Sequence, residues 1–263
     1  MATSDAPLQV GQVVLTVNDL DKVGDFYQRV IGLSLLSGDG ESRVLGVDRP
    51  LVELRGDKAA RHRPREAGLF HTAFLLPDRA ALGDWLRMIA ARELRLDGAS
   101  DHLVSEAVYL HDPEGNGIEV YADRPRAGWV WQDGEVAMDT EAMDIPGVLA
   151  EGHDGWQAAP EGTVIGHVHL QVGDLAPADE FYAGTLGLTR TAHRYGASFY
   201  GSGGYHHHLA GNIWNSRGAG RRKPDSTGLA ELVLEAEPAL IAQHSGQGLL
   251  DPWGTRISLR AKR

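Results

Sequence analysis

Apolar and polar residues alternate strictly from Ile165 to Val172, the stretch IGHVHLQV. Val168, Leu170 and Val172 share one face of a strand, and His167, His169 and Gln171 share the other. One face suits packing on helices. The other carries two imidazoles, a modest metal or active-site signal set against the plainer reading of two part-solvated histidines on an edge strand. The pattern occurs twice. Val10–Leu33 (VGQVVLTVNDLDKVGDFYQRVIGL) matches Ile165–Leu188 (IGHVHLQVGDLAPADEFYAGTLGL) at an offset of 155 residues. Each copy predicts a strand, an Asp N-cap (Asp19, Asp174), an amphipathic helix bearing Phe26-Tyr27 or Phe181-Tyr182, and a Gly-Leu stop. So long a period marks a duplicated half, not a solenoid. Arg43–Leu54 and Ser198–Leu209 continue the offset without a gap, which sets Glu53 opposite His208 and Gln12 opposite His167.

A second kind of segment, Gly68–Tyr121, opens GLFHTAFLLPD and ends HDPEGNGIEVY. Its first strand carries His71; its last follows a Pro-Glu-Gly-Asn turn and carries Glu119. Between them Arg79–Glu93 reads as a helix with Leu82, Trp85, Leu86 and Ile89 on one face. The counterpart is Gly228–Leu259, where Glu231 stands for His71 and Ser258 for Glu119. Only 20 residues separate Glu231 from Asp251, against 41 from His71 to Asp112, so this last module must be abbreviated. The expected organisation is an N-terminal module pair over 1–124, an ordered linker over 125–162 and a C-terminal module pair over 163–263. The linker carries Trp129, Trp131 and Trp156, which a purely flexible connector would lack, so all three are expected to dock. Met1–Leu8 reads as a polar leader without structure.

The chain has 263 residues, enough for two cores, and a net charge of −11 with no long basic run, which argues against nucleic acid as a partner. With no cysteine there is neither a disulfide nor a thiolate metal site. No signal pattern opens the chain and no apolar run approaches membrane length, so a cytoplasmic location is expected. The expected partner is a small-molecule substrate; a homo-oligomer stays open.

Four strand–helix–three-strand modules resemble the vicinal oxygen chelate superfamily, as do a His seven residues before Asp-Leu, an aromatic helix ending Gly-Leu and the DPEGNGIE ending. That superfamily takes in glyoxalase I, extradiol dioxygenases and bleomycin- or fosfomycin-resistance proteins. YHHHLAGNIW (Tyr205–Trp214) and Asp101–Pro125 are most similar to its two-domain catechol-2,3-dioxygenase-like branch. The resemblance implies an α+β fold of four βαβββ modules, paired into two curled mixed-sheet cavities. It also implies up to four ligands per metal site, one from the first and one from the last strand of each of two partnered modules. Two pairings remain open. Modules two and three together would gather His71, Glu119, His167 and His208, leaving Gln12, Glu53, Glu231 and Ser258 at a second site. Modules three and four together would gather His167, His208 and Glu231. The first is preferred because it concentrates the first-strand histidines in one cavity and leaves the abbreviated module where no metal is needed.

Strand alternation through His206-His207-His208 puts His206 and His208 on one face. Register then makes His208 the ligand and leaves His206 in the cavity beside His169. The expected roles are metal ligation by His71, Glu119, His167 and His208, proton handling by His102 and His206, and substrate contact from His169, Tyr109 and Trp214. Trp214 and the Arg217–Arg222 loop are expected to cover the cavity. The implied cofactor is a divalent metal, Fe(II) first, with Zn(II), Ni(II) or Mn(II) as alternatives. The implied function is extradiol ring cleavage by a metal-dependent dioxygenase. Glyoxalase-type isomerisation and metal-free ligand binding are the other readings.

Overall fold

The computed structural model describes residues 5–153, 155–244 and 248–262. Two mixed sheets dominate it. One runs in the order Leu249–Leu250, Arg256–Ala261, Gly228–Ala236, Leu8–Val17, Pro50–Gly56, Ser42–Gly46, Ser34–Gly38. The other runs Thr189–Arg194, Ala197–Gly201, Leu209–Asn212, Val164–Gln171, Gly68–Leu75, Gly117–Asp123, Ser105–His111, Gly98–Asp101. Each sheet therefore joins one module from each half of the chain, one with four and two with three. The expected pairs 1–124 and 163–263 are not sheet units. Antiparallel pairing of Leu8–Val17 with Gly228–Ala236, and of Val164–Gln171 with Gly68–Leu75, forms the two seams.

The halves survive in another contact. Tyr27, on the first helix, reaches Asp112 in the DPEG turn at 3.5 Å, and Tyr182, on its repeat, reaches Asp251 at 2.9 Å. Both phenols are buried, and each aspartate also accepts backbone N–H groups of its own turn. The duplicated helices start as predicted: Asp19 accepts from the Lys22 amide and Asp174 from the Ala176 amide. Both then widen into π-turns, Tyr27–Ile31 and Glu180–Thr185, that no local pattern announces. Gly32 (φ 82°) and Gly187 (φ 75°) take the left-handed conformation just beyond these helices, which explains the repeated Gly-Leu.

Module four is abbreviated as expected, its helix reduced to Pro238–Gln243 and one strand to two residues. The linker is ordered where described. Trp129 is buried and donates to the Arg124 carbonyl, Trp156 is half-buried, and the Ala159 amide donates to Gly32. Trp131 departs from expectation: it sits on the short hairpin strand Trp131–Gln132 and is exposed. Residues 1–4 of the expected leader lie outside the described residues, but Ala6 and Leu8 are buried. Among the described residues no helix is long and apolar enough to cross a membrane.

Candidate metal centre

The seam between modules two and three brings three donors together. His71 lies on Gly68–Leu75, Glu119 on Gly117–Asp123 and His167 on Val164–Gln171, all buried. His71 Nε2 stands 3.1 Å from Glu119 Oε2 and 3.4 Å from His167 Nε2, and His167 Nε2 stands 3.4 Å from the same oxygen. Donor separations of this size are those between neighbouring ligands of one ion held at about 2.0–2.2 Å. Among the described residues these three form the candidate metal cluster.

The electrostatics fit a cation. Burial pushes the His71 imidazole below its ordinary pKa, outweighing the pull of Glu119 in the other direction. Burial alone would raise the Glu119 carboxyl, but His167 and His71 outweigh it and hold Glu119 well below the usual carboxylate range. Two imidazoles facing one carboxylate are the donor types that hold a divalent ion.

The fourth expected ligand, His208, is not there. In the ladders Val14 pairs with Glu53, Ala73 with Glu119 and His169 with Ala210, each first-strand residue lying two beyond Gln12, His71 or His167. Ala210 therefore occupies the place that Glu119 and Glu53 hold in their modules. The ungapped register fails because Tyr200 pairs with Leu209 where its repeat, Leu45, pairs with Val52, so the later hairpin encloses two more residues between the matching pair. His208 is fully buried, its Nδ1 accepts the Ser202 amide at 3.2 Å, and burial pushes its pKa down to about 3. His206 also differs from expectation. Residues 202–208 form a turn, not a strand, so alternation does not govern them. His206 turns away from the cavity and meets Asp123 Oδ1 through Nε2 at 3.1 Å. His207 lines the cavity instead, its ring 4.2 Å from that of His167.

The cavity beside the three donors measures about 340 Å³. Phe70, Val104, Met138, Phe199 and Trp214 give it apolar walls, and His102, Tyr109 and His169 reach it as expected. Burial, then His71 and His167, keep His169 neutral, and it sits among the rings of Phe70, His71 and Trp214. His102 Nδ1 lies 2.7 Å from the Asp139 carbonyl, so that nitrogen donates; its Nε2 then accepts the Tyr109 hydroxyl at 2.6 Å. Burial, then Glu119, raise the Tyr109 phenol well above its ordinary pKa. Trp214 edges the cavity, half-exposed, and donates to the Tyr195 carbonyl at 2.6 Å. The Arg217–Arg222 loop does not border it. Arg222 lines a neighbouring cavity of about 550 Å³, which shares Phe70, His71 and Tyr109.

The other wall of the cavity comes from the linker. Met138, Asp139 and Thr140 border it, and Arg194 ties the segment down through the Met138 and Val136 carbonyls. The linker's tryptophans signalled order, but nothing in its sequence marked these three residues as cavity wall.

The Glyoxalase/Bleomycin resistance protein/Dioxygenase superfamily model matches residues 9–120. Catechol-2,3-dioxygenase of Bacillus subtilis (strain 168) is 41% identical over 268 residues, covering 96% of this chain and 93% of that protein. The chain belongs to this superfamily. Glyoxalase I from Zea mays shares the fold with a TM-score of 0.56 at 16% identity, over 97% of this chain and 92% of that one. A Bacillus subtilis structure assigned as a dioxygenase aligns with a TM-score of 0.59 at 15% identity, over 89% and 72%. In the scheme of up to four donors that the resemblance implies, His71, Glu119 and His167 stand at three of the places and Ala210 at the fourth.

Proposed function

We propose that this chain is a metal-dependent extradiol dioxygenase that opens the ring of a catechol-type substrate with dioxygen in the cytoplasm. The observation that carries this reading is the donor set: two imidazoles and one carboxylate on one face, with Ala210 where a fourth donor would stand. Such a set suits Fe(II) with positions open to substrate and O2. The isomerase alternative was built on four protein ligands, and Ala210 offers none. The likeness to a catechol-2,3-dioxygenase supports the same choice.

His71, Glu119 and His167 would hold the ion, which supplies Lewis acidity and electron exchange at neighbouring open positions. The chain's own residues do the rest. Phe70, Phe199 and Trp214 flank a space suited to a flat aromatic ring, and a largely apolar lining fixes such a ligand by shape. Tyr109 and His102 hold a proton at the phenolic oxygen beside Glu119, ready to exchange it with a substrate hydroxyl. The linker's Asp139 carbonyl fixes the tautomer that lets His102 accept.

Elemental analysis of protein purified anaerobically, followed by oxygen uptake with catechol, tests the proposal. Bound iron with uptake stoichiometric in catechol is the expected result. Zinc or nickel without uptake, or no bound metal, overturns it.

A further inference from the structure

The second cavity, about 550 Å³, shares Phe70, His71 and Tyr109 with the metal cavity but borders neither Glu119 nor His167. Leu69, Leu110 and Ile118 give it an apolar wall, and two guanidiniums reach it. Arg63 is committed, 2.8 Å from Asp225 and 3.8 Å from Glu66. Arg222 is not. Its backbone amide is fixed to the Trp253 carbonyl at 2.9 Å and its Nη2 donates to the Thr227 carbonyl at 3.0 Å. Glu66 and Asp251 act on its charge only from a distance, and both are spent elsewhere. Glu66 Oε2 accepts from Ser226 Oγ at 2.7 Å, and Asp251 Oδ2 accepts from the Tyr182 hydroxyl at 2.9 Å. Burial outweighs those two carboxylates and pushes Arg222 below its ordinary pKa, so the cation is short of counter-charge.

Gly68 keeps the space before this guanidinium open. Its φ of 145° favours glycine, and a Cβ there would stand 3.6 Å from Arg222 Nη1. Gln171 pairs with Gly68 across the strand seam, and its side chain borders the same cavity. It is only 9% exposed; Nε2 faces the Leu69 and Pro64 carbonyls at 3.3 and 3.4 Å, and Oε1 has no hydrogen-bond partner. A guanidinium short of counter-charge calls for an anion, and a bare amide oxygen calls for an O–H. One cation beside an apolar wall suits a singly charged organic acid better than a phosphate. We propose that this second cavity binds a small carboxylate with a hydroxyl on the adjacent carbon, Arg222 taking the carboxylate and Gln171 Oε1 the hydroxyl. Two sources supply that chemistry. Extradiol cleavage adds both atoms of dioxygen to a catechol and leaves a carboxylate beside an enol hydroxyl, so the ring-opened product is one. A free α-hydroxy acid is the other. The product as source rests on the dioxygenase reading; the site itself does not.

Calorimetric titration of the purified protein with mandelate, phenylacetate and inorganic phosphate tests the site. Mandelate should bind about two- to tenfold more tightly than phenylacetate, which lacks its hydroxyl, and phosphate should bind most weakly. Arg222→Met should weaken both acids about tenfold or more, and Arg222→Lys by less. Gln171→Leu should bring mandelate down to the level of phenylacetate and leave phenylacetate unchanged. Metal content equal to the parent's in all three variants shows that the fold is intact. Mandelate that binds wild type and Arg222→Met equally overturns the proposal. So does phosphate that outbinds mandelate, and so does a wild type that binds no acid or ignores the hydroxyl. The two sources separate in turnover. Ring-opened product that inhibits catechol cleavage by wild type, and about tenfold less strongly by Arg222→Met, identifies the product as occupant. Mandelate binding without such inhibition identifies a free acid. Wild type that fails to consume oxygen with catechol sinks the functional reading alone, since the titration needs no turnover.

Discussion

In the sheet of modules two and three, the four matching places hold His71, Glu119, His167 and Ala210; in the sheet of modules one and four they hold Gln12, Glu53, Glu231 and Ser258. The backbones present both sets in the same register. In the first sheet the donors face one another across 3.1–3.4 Å, with the Glu119 side chain only 3% exposed. In the second the space is taken by the chain's own cations. Arg55 lies 2.6 Å from Glu53 and 3.8 Å from Glu231, Ser258 donates to Glu231, and Arg260 reaches Gln12 at 3.4 Å and Glu235 at 3.1 Å. A carboxylate balanced by a guanidinium has no need of a metal. The buried Glu119 carboxylate meets two imidazoles and no guanidinium. The lesson is that donor type and resident counter-ion, not the duplicated fold, decide which seam is a site.

The largest effects should follow from that asymmetry. His71→Ala, His167→Ala and Glu119→Ala should each weaken metal retention by roughly a hundredfold or more, because a lost ligand opens a position the buried site cannot refill. Glu53→Ala and Glu231→Ala should leave metal content unchanged. Elemental analysis after dialysis compares the five variants side by side. Loss of metal from Glu231→Ala would revive the pairing of modules three and four.

Next in size is the proton path. Tyr109→Phe removes the hydroxyl that meets His102 and Glu119 but leaves the three donor side chains in place. It should lower kcat for catechol by about ten- to a hundredfold while metal content holds. A variant with unchanged kcat would leave Tyr109 as a wall of the cavity and nothing more.

Much of the centre was legible because it lies on strands. Alternation through IGHVHLQV put His167 and His169 on one face, and both now reach the cavity. His71 and Glu119 were picked out by the resemblance, which places donors on the first and last strands of a module, and the preference for pairing two with three followed from where the histidines were concentrated. Legibility ended where periodicity did. The turn over 202–208 shifts the pairing of its hairpin by two residues relative to the repeat, so a rule for strands assigned His208 and His206 to a face neither occupies, and passed over His207. The linker has no period at all, and Met138, Asp139 and Thr140 earn their place only through tertiary contacts such as Arg194 to the Met138 carbonyl. The π-turns were hidden for a related reason: an extra residue in a helix leaves its apolar pattern almost unchanged.

His208 then becomes a question of stability. Burial sets its folded pKa at about 3, while an unfolded histidine titrates near 6.5. Between those values the unfolded chain binds the extra proton, so its contribution is complete above about pH 6.5 and is lost as pH falls toward 3. The slope from this one group is at most about 1.4 kcal/mol per pH unit. His208→Leu should retain metal and show a pH dependence of unfolding shallower by up to that amount, read from urea midpoints between about pH 7 and pH 4. Unchanged steepness would mean that His208 is protonated or solvated in the folded chain.

The smallest effect is the most direct probe of the silent sheet. Arg55 bridges Glu53 and Glu231, but its side chain is 48% exposed, so solvent screens both ion pairs. Arg55→Met should therefore shift stability by less than about 1 kcal/mol, seen as a nearly unmoved denaturation midpoint. Removing the cation leaves Glu53 and Glu231 with Gln12 and Ser258, a set with no imidazole. Oxygen donors of this kind suit hard ions such as Mg²⁺ or Ca²⁺ far better than iron or zinc. Iron and zinc content should stay at the parent's level. If Arg55→Met instead gained a second equivalent of either metal per chain, the resident guanidinium alone would separate the two sheets, and the absence of histidine at Gln12 and Glu231 would be incidental.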